Sequence, residues 1–291
     1  MPLSQHGGTK TRRILFVAAV VLVAGGISIF RQLPEIAAGG LLYPQRHLLA
    51  AARPANCDAA RFNGEGVVLV GWKCHPAGKP RGTVVYLHGV ADNRGSAAGA
   101  ITRFTADGYD VIAYDSRAHG ESEGQICTYG FFEKDDLRHV LDGVTHHPIV
   151  LMGTSLGAAV AVQEAAVDPR VDGVIAAEVF SDLRAVATER APRMLSAGMI
   201  AKAFVRAEER GHFRVDEVSP VRAAAHIRVP VFLIHGAADL DTPPDHSRRV
   251  FAALKEPKRL MLVEGAHHNE SLNREDVWGA IEDWLRLTFP K

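Results

Sequence analysis

The chain has 291 residues, and its composition, 47% hydrophobic and 23% charged, excludes a disordered chain and leaves enough apolar material for a sizeable core. Lysine and arginine together number 33, as do aspartate and glutamate. The chain therefore lacks the basic excess of a protein that neutralises many phosphates, and we expect no nucleic-acid partner.

A charge-free apolar run occupies residues 14–30. Its 17 residues would reach about 26 Å as a helix, slightly short of the ~30 Å hydrocarbon core of a bilayer. Three basic residues precede the run, so the positive-inside rule predicts a cytoplasmic tail over 1–13 and an extracytoplasmic catalytic domain. We favour a membrane-spanning signal-anchor over a cleaved signal peptide, because apolar residues continue through Phe30.

We interpret residues 31–65 as a connecting segment and 66–291 as one domain. In that domain, short runs rich in Val, Ile and Leu alternate with helix-like stretches, a pattern typical of a mostly parallel sheet buried on both faces. The predicted strands are 67–72, 83–87, 111–114, 149–152, 174–177, 231–234 and 260–263, of which the first two are close enough in sequence to pair as neighbours. The predicted helices are 97–106, 131–145, 156–166, 245–254 and 276–287.

Some fifty residues separate the fifth and sixth predicted strands, at about 181–226. This stretch is too long for a plain crossover, so we predict an inserted helical cap. Its mixture of apolar and charged side chains predicts a partly apolar pocket. The residues concerned are Met194, Leu195, Met199, Phe204 and Arg206.

Two serines occur in the pattern G-x-S-x-G, Ser122 in 120–124 and Ser155 in 153–157. A nucleophilic serine of this kind needs a strand, a tight turn and then a helix. An apolar run precedes Ser155 and small residues suited to a close-packed helix follow it, whereas no convincing helix follows Ser122. We therefore predict that Ser155 is the nucleophile and that Ser122 is a loop residue.

A serine is a weak nucleophile without a base and an acid that orients the base. Asp239 follows the sixth predicted strand and the pair His267–His268 follows the seventh, at the sheet edge where open α/β proteins place their sites. Asp241 is the alternative acid. Adjacent histidines on a loop can point either way, so this reasoning leaves the choice between them open.

The tetrahedral intermediate of acyl transfer needs two backbone N–H donors for its oxyanion. The residue after the nucleophile, Leu156, should supply one of them. We assign the other to Val90, because Gly89 allows the loop after strand 83–87 to approach closely.

No H-E-x-x-H, C-x-x-C or phosphate-binding glycine motif occurs, so we expect no metal site and no cofactor. Cys57 and Cys74 could form a disulfide if the domain is extracytoplasmic. We favour the alternative, in which these two residues and Cys127 are reduced or buried thiols.

Together these residues resemble the α/β-hydrolase superfamily. The resemblance rests on His88-Gly89 and on the runs 115–124, 153–157, 235–243 and 265–269, spread over most of the chain after residue 83. Within the superfamily the chain is most similar to the Bem46-like, serine aminopeptidase S33-type hydrolases. Many of these begin with a membrane segment followed by an L-x-Y-P stretch, which here includes Leu42-Tyr43-Pro44.

The resemblance implies the α/β-hydrolase fold, a doubly wound and mostly parallel sheet with a small helical cap. The family pattern H-G-x-x-D-x-x-x-P selects Asp239 over Asp241, and G-x-x-H-N selects His268 over His267. It also makes 115–124 a structural loop, in agreement with the rejection of Ser122.

The sequence therefore predicts a serine hydrolase that cleaves carboxylic esters, or alternatively peptides or amides, through an acyl-enzyme. Ser155 attacks, His268 accepts its proton and Asp239 fixes the imidazole. Val90 and Leu156 bind the oxyanion. The predicted anchor alone suggests a lipid-like ester. An acyltransferase on the same triad and a non-catalytic binding protein are the alternatives, and the sequence does not indicate an oligomeric state.

Overall fold

The computed structural model describes residues 7–50 and 52–290. Within the first helix, it describes the side chains of residues 15, 16, 18, 25, 26, 28 and 30–42 only. One sheet of eight strands forms its centre. The strands are β1 Cys57–Asn63, β2 Val68–Cys74, β3 Thr83–Leu87, β4 Asp110–Tyr114, β5 Ile149–Thr154, β6 Gly173–Ala177, β7 Val231–Gly236 and β8 Lys258–Val263. Their order is β1-β2-β4-β3-β5-β6-β7-β8. The pairs β1–β2 and β2–β4 are antiparallel and the others parallel.

All seven predicted strands are present, and the central ones are buried along their whole length, as their continuous apolar runs indicate. The expected pairing of the first two predicted strands is wrong, because β4 lies between β2 and β3 and pairs with both. The sequence analysis also missed β1. This edge strand is mostly exposed, so it lacks an apolar run.

Helices cover both faces of the sheet, and buried side chains form one cluster on each face. The helices are α1 Gly7–Leu42, α2 Ala98–Ala106, α3 Glu133–Leu141, α4 Leu156–Ala165, α5 Leu183–Glu189, α6 Ala197–Gly211, α7 Pro220–Ala224, α8 Asp245–Ala253 and α9 Glu275–Thr288. The predicted cap is formed by α5, α6 and α7, which lie between β6 and β7.

The C-terminal part of α1 packs on the cap helix α6. Ala38 and Leu42 are buried there, and Glu35 pairs with Arg206 at 2.7 Å and with Arg210. The stretch that we interpreted as a connecting segment therefore contributes both a packed helix end and strand β1.

No helix is both long and apolar enough to cross a lipid bilayer in the part of the chain that the structure describes. The predicted membrane segment, residues 14–30, falls largely on residues whose side chains lie outside the description, so it stays a prediction.

Cys57 and Cys74 are joined by a disulfide that links β1 to β2. The antiparallel register places the two residues directly opposite each other, with their Cα atoms 3.8 Å apart. Cys127 is a buried free thiol. Our preference for three reduced thiols is therefore wrong, because it did not take into account strand β1, whose pairing with β2 brings the two cysteines together.

We predict that Cys57→Ser lowers the free energy of unfolding by about 3 kcal/mol, since the bond constrains a short loop of the unfolded chain. Urea denaturation of the wild type with and without a reductant measures the same difference. Cys57→Ser/Cys74→Ser is the control, and its stability should not respond to the reductant. Equal stability of the oxidised and reduced wild type would contradict the prediction.

Candidate active site

Ser155 lies on the turn between β5 and α4 with a backbone φ of +49°. Its N–H donates to Ala177 O on β6 at 2.8 Å. A Cβ on Gly153 would collide with the backbone of Gly157, and one on Gly157 would collide with Leu87 O on β3. Both glycines are therefore sterically required, which explains the G-x-S-x-G pattern, and α4 can lie against the sheet.

The structure brings Ser155, His268 and Asp239 together in a line. His268 Nε2 lies 3.1 Å from Ser155 Oγ, and His268 Nδ1 lies 2.6 Å from Asp239 Oδ2. The arrangement lets the imidazole accept the serine proton while the carboxylate holds its other nitrogen.

Asp239 is fully surrounded by donors. Its Oδ1 accepts the N–H groups of Asp241 and Thr242 at 2.9 and 2.8 Å, and its Oδ2 also lies 3.3 Å from His235 Nε2. Although burial opposes ionisation, hydrogen bonds from His235 and His268 hold the pKa of Asp239 well below its usual value. Asp239 is therefore a permanent anion behind the imidazole.

The two residues that competed for these positions point elsewhere. The side chain of Asp241 is exposed, and its backbone N–H serves Asp239. His267 is exposed next to the partly buried His268. Geometry thus separates the neighbours that the sequence alone left open.

The loop after β3 lies against the nucleophile. A Cβ on Gly89 would be 3.8 Å from Ser155 Cβ. Among the described residues, no acceptor is hydrogen-bonded to the N–H of Val90 or of Leu156, and Leu156 is the first residue of α4, where such amides are unpaired. Both predicted oxyanion donors are therefore free to bind a ligand.

His88 holds this loop in place. Its Nδ1 lies 2.7 Å from Gly89 O, and its Nε2 accepts the Ser116 N–H at 2.9 Å. The latter bond requires a neutral ring, and burial lowers the pKa of His88. The ring of His119 packs edge-on against it at 5.1 Å.

Ser122 has a structural role in this region. Its hydroxyl donates to Asp115 O at 2.6 Å and accepts the Val70 N–H at 2.8 Å. Asp115 itself is buried and paired with Arg94. The run 115–124 therefore ties β2 to β4, as the resemblance implied.

Three further residues at the site were missed by the sequence analysis. Arg190, at the end of α5, lies 3.3 Å from His268 Nε2 through its Nη2. His235 contacts Asp239. Glu178, directly after β6, is fully buried. Each is brought to the site by tertiary packing, and only His235, in the run H-G-x-x-D, carried a local sequence signal.

A cavity of about 520 Å³ lies between α1 and the cap. Arg190 and Tyr129 form part of its wall, so it borders the surroundings of His268. The remaining wall is almost entirely apolar. The side chains include Leu33, Ile36, Leu41, Met194, Leu195, Ile200 and Phe204. Arg206, by contrast, pairs with Glu35, and Met199 is not among the lining residues.

No three His, Cys, Asp or Glu side chains converge as a metal site would require in the described ranges of the chain. The groups at the site are instead a hydroxyl, an imidazole, a carboxylate and two amide donors. This set is sufficient for acyl transfer through a covalent serine intermediate.

Comparison with known proteins identifies related chains. The model of the serine aminopeptidase S33 family matches residues 78–219. The chain is 30% identical to the uncharacterized protein YqkD of Bacillus subtilis over 232 residues, 76% of each chain.

Two solved structures share the fold. The esterase Pf2001 of Pyrococcus furiosus has a TM-score of 0.69 at 21% identity, covering 84% of this chain and 98% of its own. The acylaminoacyl peptidase of Pyrococcus horikoshii has a TM-score of 0.65 at 15% identity, covering 81% and 42%. The predicted doubly wound fold with a helical cap is confirmed. The closer resemblance to Bem46-like hydrolases stays a prediction.

We predict that Ser155→Ala abolishes covalent labelling by a fluorophosphonate probe and leaves the thermal unfolding curve nearly unchanged. Ser122→Ala should keep the labelling but lose about 1–3 kcal/mol of stability, because it leaves a buried N–H and a buried carbonyl unpaired. Labelling followed by thermal denaturation measures both effects. Loss of labelling in Ser122→Ala with a folded protein would reverse the assignment.

We predict that the protein loses stability in acid. Burial lowers the pKa of His119 from 6.5 to about 4. The unfolded chain therefore takes up this proton between pH 6.5 and 4 while the folded chain does not, and unfolding becomes easier by about 3 kcal/mol across that range. Urea denaturation at pH 7 and pH 4.5 measures the slope. His119→Asn should reduce this dependence of the free energy of unfolding on pH. An unchanged dependence in the variant would contradict the assignment of the effect to His119.

Proposed function

The chain belongs to the α/β-hydrolase superfamily and is a serine hydrolase, and from that premise we propose that it cleaves carboxylic esters through an acyl-enzyme formed on Ser155. The observation that carries the proposal is the continuous line of contacts from Ser155 Oγ through His268 to Asp239, 3.1 and 2.6 Å long. Peptides and amides are the second candidate class, because the S33 family is described by its serine aminopeptidases.

The proposed reaction begins when Ser155 Oγ attacks the ester carbonyl carbon and its proton passes to His268 Nε2. The anionic Asp239 stabilises the imidazolium, and the N–H groups of Val90 and Leu156 stabilise the oxyanion. His268 then returns the proton to the leaving alkoxide. Water, deprotonated by the same nitrogen, releases the carboxylic acid and restores Ser155.

The proposed substrate has an apolar acyl group. The cavity bordered by Arg190, which contacts His268, is lined by apolar side chains from both α1 and the cap, such as Leu41, Ile200 and Phe204. Each methylene group of the acyl chain that leaves water stabilises the bound state by about 0.8 kcal/mol. The apolar wall therefore favours esters of medium or long acids over acetate esters.

We also propose that the catalytic domain lies in an oxidising, extracytoplasmic compartment. The disulfide between Cys57 and Cys74 supports this location, because such bonds persist outside the reducing cytosol. The basic residues before the predicted segment 14–30 support the same orientation.

Substitution of the proposed base and acid tests the triad. We predict that His268→Ala and Asp239→Asn each lower kcat/KM on the order of 10³-fold or more, with both variants folded. His267→Ala is the matched control and should change activity less than about threefold. Steady-state hydrolysis of a chromogenic ester measures all three variants. A larger loss in His267→Ala than in His268→Ala would reassign the base.

A cavity-filling substitution tests the acyl site. We predict that Ala37→Phe, on the α1 wall, lowers kcat/KM for decanoyl esters about tenfold or more and changes butanoyl esters little, since each lost apolar contact costs roughly 1–3 kcal/mol. Ala201→Phe, exposed on α6, is the control. Equal effects of Ala37→Phe on short and long esters would remove this cavity from the proposal.

A further inference from the structure

Glu178 lies at the end of β6. This strand is flanked by β5, which leads to the nucleophile, and by β7, which leads to Asp239. Glu178 directly follows β6, whose Ala177 O accepts the Ser155 N–H at 2.8 Å, and its own N–H donates to Ile234 O on β7 at 2.9 Å. The backbone of Glu178 is therefore fixed on both sides by the strands that carry the proposed triad.

Two unfavourable features coincide at Glu178. Its φ is +52°, a left-handed conformation that costs a residue other than glycine roughly 1 kcal/mol. Its side chain is fully buried, and neither carboxylate oxygen has a hydrogen-bond partner among the described residues. A buried unpaired carboxyl in a strained position calls for a functional explanation, because the carboxyl gives the fold no hydrogen bond in return.

Glu178 lines a cavity together with Val90 and with Asn269, the residue that follows His268. The charges of His235, His268 and Asp239 act on its carboxyl, which lies near the hydroxyl of Ser271. Ser271 is buried, its hydroxyl also has no hydrogen-bond partner in the described structure, and it belongs to the short 3₁₀ turn that follows His268. Tyr86, on β3, is the other titratable side chain on which Glu178 acts.

We propose that Glu178 is a positioning residue for His268, a second carboxyl that supports the imidazolium from the end of β6 while Asp239 supports it after β7. The inference rests on the proposed triad. No proton passes to Glu178 in this role. Its carboxylate stabilises the positive charge that His268 gains when Ser155 attacks.

The sign of the pH dependence follows from the environment. Burial raises the pKa of Glu178, and the nearby Ser271 hydroxyl and the charges of His235 and His268 oppose that shift only in part. The group is therefore neutral at low pH and gains its charge as the pH rises. Its support of His268 should increase with pH, unlike that of Asp239, whose lowered pKa keeps it ionised throughout.

The experiment compares Glu178→Gln, Asp239→Asn and the double variant over pH 6 to 9.5 with a soluble ester. We expect Glu178→Gln to lower kcat by up to about tenfold, with a larger loss at the high-pH end of this range than at the low-pH end and with KM unchanged. The residual kcat of Asp239→Asn should rise with pH. Adding Glu178→Gln to this variant should abolish the rise and lower the remaining kcat about tenfold.

The matched control is Glu164→Gln, which also alters a buried carboxyl. Burial raises the pKa of Glu164 to about 7, but its partner is Arg138. This variant should keep the wild-type pH profile. A Glu178→Gln profile parallel to that of the wild type, or a double variant as active as Asp239→Asn, would overturn the inference.

Stability separates a catalytic contribution from a structural one. Glu178→Gln removes a buried ionisable group without a partner, so its melting temperature at pH 8 should equal or exceed that of the wild type. A melting temperature below that of Glu164→Gln would make Glu178 a structural residue and overturn the inference. Absence of fluorophosphonate labelling in the wild type would instead reject the proposed function itself.

Discussion

The close contact between helix α4 and strand β3 is the constraint on which the site depends. Gly157 lies so near Leu87 O that no side chain fits between them, and Gly153 lies equally near Gly157. This contact forces the chain to turn sharply between β5 and α4, and Ser155 takes up the turn with a positive φ. The same turn places the serine hydroxyl at the sheet edge where the loops carrying His268 and Asp239 meet.

Around this turn, the protein keeps its titratable groups in defined charge states. Asp239 stays ionised because His235, His268 and two backbone N–H groups converge on it, and His88 stays neutral because its ring accepts a backbone N–H. Glu178 has no such partner. The site therefore contains buried titratable groups whose hydrogen bonds stabilise the fold, and one, Glu178, whose carboxyl makes no such bond. This pattern is expected where stability is given up for function.

The sequence was sufficient for the features that depend on local pattern. Continuous apolar runs located the central strands. The apolar run before Ser155 and the small residues after it distinguished it from Ser122, which has the same flanking glycines. It was insufficient wherever tertiary contacts decide. Strand β1 has too few apolar residues to be recognised, so the disulfide between Cys57 and Cys74 was considered but not preferred. Arg190 and Glu178 lie far from Ser155 in sequence, and no local signal connects them to it.

The central claim is that Ser155, activated by His268, forms the covalent intermediate. Rapid acid quenching during turnover of a decanoyl ester, followed by peptide mass analysis, tests it most directly. The account predicts a burst of released alcohol with about one equivalent per protein, and a decanoyl adduct on Ser155. A linear time course without a burst, together with a decanoyl adduct on any other residue, would contradict it.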